Sequence, residues 1–321
     1  MKYNNFRSPL GREPETVREF FRANVRIYGD KPLFMQKEDG KYISYSYKGF
    51  MDDVNALGTE LVSRGFGGKK MIVMGENRYA WVLAYMTAVC GAGVIVPIDK
   101  ELAAEELANI AELSEAAVIF YSEGCAAKAE ALPESVAKIS FGELDGLVKE
   151  GANKRDGSFE QAEIDPDEMA VLLFTSGTTG VSKGVMLSNR NICSMLYQAT
   201  ALVDMNENDV LLSVLPLHHT YECSCGFLAP LYVGATVAFC EGLRQIMKNL
   251  REVRPTLLIC VPILAETMYK KIKSDIARRK LEGKAKLGVE ATNLLGSGAL
   301  AMAAKKRLFG EYTPRSAADC A

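Results

Sequence analysis

Two long stretches of the chain, residues 81–98 and 223–240, carry no charged residue. Their length raises the question of a membrane span. Each, however, is broken by glycine near its middle (Gly91 and Gly93; Gly234) and ends in a run rich in β-branched residues. That pattern predicts a buried helix, a tight turn and a core strand. The flanking order repeats as well. The first unit reads as strand 71–74, polar loop 75–78, apolar helix and strand 91–96, followed by helix 103–113 and strand 117–120. The second reads as strand 210–215, loop 216–221, apolar helix and strand 234–239, followed by helix 243–253 and strand 256–259. Strands this uniformly apolar suit sheets buried on both faces. The expected fold class is therefore α/β, with two similar, helix-covered, mostly parallel sheets.

Between the repeats, residues 149–167 show no apolar periodicity and are rich in Gly, Asp, Glu and Asn, which reads as a surface linker. The expected organisation is a first lobe over about 30–150, a linker over about 151–167 and a second lobe over about 168–309, opening with the strand 169–174. Residues 310–321 form an atypical tail. At 321 residues and 48% hydrophobic content, the chain is long enough to bury a sizeable core. A net charge of −2 gives no reason to expect a nucleic-acid partner. The basic cluster of Lys270, Lys271, Lys273, Arg278, Arg279 and Lys280 reads as the solvated face of a helix. Eight cysteines without paired spacing and a polar N-terminus point to a reducing cytoplasm, with no transmembrane segment and room for a peripheral membrane contact.

The candidate chemistry starts where the strand 169–174 ends, in the run Phe-Thr-Ser-Gly-Thr-Thr-Gly-Val-Ser-Lys-Gly-Val at 174–185. Thr175, Ser176, Thr178 and Thr179 supply hydroxyls, while Gly177, Gly180 and Gly184 let the backbone curl and expose its N–H groups. Successive N–H groups in such a curl form an anion-binding concavity, to which Lys183 adds a full positive charge. Lys183 is followed by Gly184, not by Ser or Thr, so the Walker A pattern fails. The bland alternative is a glycine-rich turn with no ligand.

This run closely resembles the phosphate-loop signature of the adenylate-forming enzymes. The likeness extends through residues 34–55, Glu76-Asn-Arg-Tyr-Ala-Trp81 and Leu215-Pro-Leu-His-His-Thr-Tyr221. Residues 17–21, 254–262 and 305–309 are most similar to long-chain fatty acyl-CoA synthetases. The resemblance implies an acid–thiol ligase that joins a fatty acid to ATP as acyl-adenylate and passes the acyl group to coenzyme A. It implies that Thr175, Ser176, Gly177, Thr178, Thr179, Gly180 and Lys183 hold the β- and γ-phosphates, with Thr175 beside Mg²⁺. His219 would meet the substrate carboxylate and α-phosphate, and Tyr221 would border the acyl channel.

His218 and His219 are the only histidines. A zinc site with Cys223 and Cys225 is an alternative for them, disfavoured because residues i and i+2 of a helix face apart. A packed, non-functional pair is another. The resemblance also has departures. After Phe309 the family's glycine-rich strand, its Tyr-Gly-x-Thr-Glu motif, its ribose-binding Asp, its hinge and its C-terminal lid domain with the adenylation lysine are all missing. The expectation is an incomplete N-terminal domain, inactive by itself. The other readings are a non-catalytic nucleotide- or acyl-binding remnant, or a ligase for a different carboxylate.

Overall fold

A computed structural model describes residues 8–154, 156–175 and 183–278. Its strands are β1 Pro32–Glu38, β2 Lys41–Ser46, β3 Lys69–Met74, β4 Gly93–Ile98, β5 Ala116–Tyr121, β6 Ala137–Ser140, β7 Met169–Thr175, β8 Lys183–Ser188, β9 Val210–Ser213 and β10 Thr236–Phe239. Among the described residues they form two sheets, ordered β6-β5-β3-β4-β7-β8 and β2-β1-β10-β9. Pairing is parallel except in the hairpins β1–β2 and β7–β8. The α/β class and the two mostly parallel sheets are as the sequence predicts.

The internal repeat is real in topology. β3 lies between β4 and β5. In the same way β9 lies between β10 and Leu257, which bridges Leu211 in parallel. The strand expected at 256–259 is reduced to that bridge. Gly234, at φ +84°, ends the helix Ala229–Val233 and turns the chain toward β10.

Beyond the repeats, strands distant in the chain become neighbours at two places. β1, from the N-terminal side, pairs with β10 through Phe34 and Val237. β7, expected to open a second lobe, instead extends the first sheet by pairing with β4 through Ile95 and Val171. The physical reason is that each three-strand unit has two edges, and an unpaired edge is covered by whatever strand is available, β7 on β4 and β1 on β10. Hydropathy reports that a strand is buried, not which edge it joins. Residues 149–167 are also more ordered than a loose linker. Helix Leu144–Lys154 takes up the beginning, and Phe159 is 2% exposed, its ring over Gly58 of helix Tyr47–Ser63. The Arg18 guanidinium holds this segment by donating to the Phe159 carbonyl at 2.8 Å and to the Ala162 carbonyl.

Alternation along the strands divides the apolar side chains into three clusters. Met71, Val73, Val118 and Phe120 of the first sheet, with Phe34, Val237 and Leu211 of the second, point into one shared core between the sheets. Ile72, Met74 and Ile119 face outward under helix Ala104–Ser114, and Leu212 and Ala238 face outward under helix Ile246–Val253. The two uncharged stretches supply the middle of the shared core. Helix Tyr79–Thr87 is buried at every position, as is helix Ala229–Val233. A helix apolar all round belongs in such a place. No helix among the described residues is long and apolar enough to cross a membrane.

Helices Tyr47–Ser63 and Leu144–Lys154 approach closely at Gly151, where a Cβ would lie 1.9 Å from the Ala56 carbonyl oxygen. Gly146, one helical face away, has nothing within 4 Å of such a Cβ. Gly151→Ala is therefore expected to destabilise the fold by about 1–3 kcal/mol through overpacking. Gly146→Ala should be neutral, or stabilising by up to about 1 kcal/mol through helix propensity. Denaturant unfolding of the two variants compares them directly, and equal stabilities would contradict the packing described.

Candidate active site

The strands on either side of the hydroxyl- and glycine-rich run pair antiparallel. β7 and β8 pair Val171 with Leu187, Leu173 with Val185 and Thr175 with Lys183. Side chains two apart on a strand share a face, so these three pairs form one row. Val171, Leu173 and Leu187 of that row line a cavity of about 140 Å³. Ile192 and Met195 of helix Asn189–Leu202 close it on one side, and Leu217, His218 and Thr220 on another. Thr175 and Lys183 end the same row, both exposed, roughly 14 Å along the strand from Val171. The Thr175 hydroxyl lies 3.5 Å from the Lys183 carbonyl oxygen. Ser176, Gly177, Thr178, Thr179 and Gly180 lie outside the described residues.

The histidines sit on the loop between β9 and the π-helical segment Glu222–Leu228. That loop is a turn rather than an extended strand. The His219 N–H donates to the Pro216 carbonyl at 3.1 Å, and the His219 carbonyl accepts from the Cys223 N–H at 3.0 Å. The two imidazoles consequently do not diverge, their ring centroids being 4.2 Å apart. His218 faces the cavity with its side chain 11% exposed, Nε2 3.6 Å from an Asp99 carboxylate oxygen. Burial and the neighbouring His219 push its pKa down to about 4, and Asp99 offsets only part of that. Near neutral pH it is an uncharged imidazole. His219 and Tyr221, the residues expected on the substrate side, are both exposed and do not line the cavity.

His218 and Thr220 are thus cavity residues that the motif alone did not single out. A signal for Thr220 was present in the helical spacing of Leu217, Thr220, Ser224 and Leu228, all of which line the cavity. Cys223, one candidate zinc ligand, is buried in the cavity wall, and Cys225 is half-buried. Among the described residues no three His, Cys, Asp or Glu side chains gather as metal ligands.

Comparison with known proteins places this arrangement. The chain is 29% identical over 331 residues to long-chain-fatty-acid–CoA ligase 1 of Cavia porcellus, covering 87% of this chain and 46% of the relative. It is 28% identical to the Homo sapiens protein of the same name, again over 87% of this chain and 46% of the relative. The chain therefore spans less than half the length of these relatives. In structure it is similar to a long-chain-fatty-acid-CoA ligase from Archaeoglobus fulgidus, with a TM-score of 0.73 and 18% identity. That match covers 82% of this chain and 55% of the ligase. Residues 21–315 match the AMP-binding enzyme family, and the chain belongs to that family.

Proposed function

We propose that this chain carries the triphosphate and carboxylate side of an AMP-forming acyl-CoA synthetase. The complete enzyme would activate a fatty acid with ATP to acyl-adenylate and transfer it to coenzyme A. The observation that carries this reading is the single row on the β7–β8 hairpin, which is apolar beside the cavity and ends in Thr175 and Lys183. One surface thus offers a place for an apolar tail and, further along, a hydroxyl and an ammonium group suited to phosphates. The seven residues between Thr175 and Lys183 exceed the two to five common in hairpin loops, which fits a loop shaped for a ligand. The choice of a long-chain fatty acid rests on the names of the relatives.

In-line attack of a carboxylate on the α-phosphate brings anions together, so the protein must position the reactants and offset charge. Lys183 and the loop N–H groups would take the β- and γ-phosphates. Mg²⁺ supplies charge neutralisation when bound, and the exposed Thr175 hydroxyl is a suitable oxygen beside it. His219, exposed at the loop, would meet the carboxylate, while His218, neutral and on the cavity wall, would contact the acyl side.

Three outcomes are expected. Residues 1–321 expressed by themselves should not catalyse fatty-acid-dependent exchange of labelled pyrophosphate into ATP, because the Tyr-Gly-x-Thr-Glu motif that supplies the Mg²⁺-binding Glu in the resemblance does not occur among them. Exchange clearly above a blank would contradict this. Lys183→Ala should weaken ATP binding roughly tenfold to hundredfold, the scale of one hydrogen bond to a charged group. Binding of a fluorescent fatty acid should persist, and equal loss of both ligands would count against the reading. In a full-length enzyme that contains these residues, His219→Ala should lower kcat for adenylation by about a hundredfold, whereas His218→Ala should chiefly raise the KM for fatty acid. Indistinguishable kinetics for the two variants would remove the distinction between them.

A further inference from the structure

The loop that carries both histidines is fastened at two points. At its base, the Ser213 hydroxyl donates to Glu222 Oε1 at 2.6 Å, linking the end of β9 to the first residue of the π-helical segment. In its middle, Asn77 makes three hydrogen bonds. Nδ2 donates to Ser213 Oγ at 2.9 Å and to the Leu215 carbonyl at 2.6 Å, and Oδ1 accepts from the Leu217 N–H at 3.0 Å. Asn77 stands in the loop after β3, so these bonds cross from the carboxyl edge of one sheet to that of the other. In open α/β sheets that edge is where ligands bind.

Glu222 is committed to this role by its surroundings. It is 1% exposed, and Oε2 is buried with no hydrogen-bond partner. Gly226, one turn on, leaves room for the carboxyl group, since a Cβ there would lie 2.5 Å from Glu222 Cδ. A buried carboxyl this enclosed is costly unless it is neutral or well paired.

We propose that Asn77 and Glu222 are positioning residues that set how the loop presents His218 to the cavity and His219 beside it. This rests on the reading of the histidine loop as part of the active site, but the hydrogen bonds named are independent of any substrate. Burial raises the Glu222 carboxyl to about 7, offset only in part by the Ser213 hydroxyl and the Val214 N–H. The titratable groups about it are Tyr221, Cys223 and Cys225 on its own segment, and Tyr85, which hydrogen-bonds Cys223. The pKa values of all four are raised, so they are uncharged near neutral pH and supply no compensating cation. Asn77 and Ser213 are likewise uncharged.

Since the chain holds only two histidines, their imidazole NMR signals report the loop directly, without ATP or fatty acid. E222A and N77A should shift both signals and raise the His218 titration midpoint from about 4 toward the ordinary histidine value near 6.5. The isosteric E222Q, which reproduces the neutral acid, should preserve shifts and midpoints. Stability offers a second reading. Between the ordinary carboxyl value near 4.3 and about 7, the unfolded chain has released the Glu222 proton while the folded chain retains it. Rising pH therefore destabilises the native chain relative to E222Q, and the gap in Tm between them should widen from pH 5 to pH 8. Should E222A fail to fold, N77A, altered at a half-buried loop position, carries the NMR test. The proposal is overturned if N77A, or N77A and E222A where both fold, keep wild-type imidazole signals and midpoints, or if E222Q disturbs them as much as E222A. Because no ligand is added, a wrong assignment of adenylation would leave these results unchanged.

Discussion

The ring of Tyr85 meets the ring of Phe227 edge-on, with 5.7 Å between centroids, where the two repeats touch inside the shared core. Trp81 stacks on Tyr85 at 5.5 Å, and Phe34 of the second sheet lies 5.9 Å from Phe227. Aromatic groups of this size dominate the energetics of a core, and edge-on and offset arrangements add to plain burial. This contact fixes one sheet against the other. Both helices follow the central strand of their unit, so pinning them together also brings the loop after β3 beside the loop after β9. The candidate site lies along that junction, one wall from each sheet.

Each repeat also contains a π-helical turn: Ala88–Ala92 in the first and Glu222–Leu228 in the second. Such a turn widens the helix locally and re-aims side chains, and it is frequent at functional sites. In the second repeat it puts Cys223, Ser224 and Leu228 on the cavity wall. In the first, the corresponding turn faces the packed core. The same backbone device thus serves packing in one half and the cavity in the other.

The repeat, the fold class and most core strands were legible because period and polarity suffice to find an apolar strand and to stop a helix at glycine. β3, β5 and β10 fall where the sequence places them, within a residue or two. Which sheet edge β1 and β7 would join was not legible. That is decided by geometry between segments distant in the chain, which local period and polarity do not report. Residue Phe159 was missed because a single aromatic in a polar run has no period to reveal it. At the site, the position of Thr175 at the end of an apolar strand was legible from that strand, but that Lys183 opens a returning strand paired with it was not. The facing of His218 did not, because adjacent residues in a turn are not separated by any simple alternation.

The pairing of Phe34 with Val237 has a consequence for how the chain is made. At synthesis rates of roughly 5–20 residues per second, β1 leaves the ribosome on the order of ten seconds or more before its partner β10 exists. The same delay applies to the inner face of β1, which belongs in a core completed only by the later strand. The first sheet is less exposed to this wait, since β3, β4 and β5 follow one another closely. Translation therefore presents the β1–β2 hairpin as an apolar surface without its final partner, and long-range pairing of this kind is what slows folding and invites association with other chains.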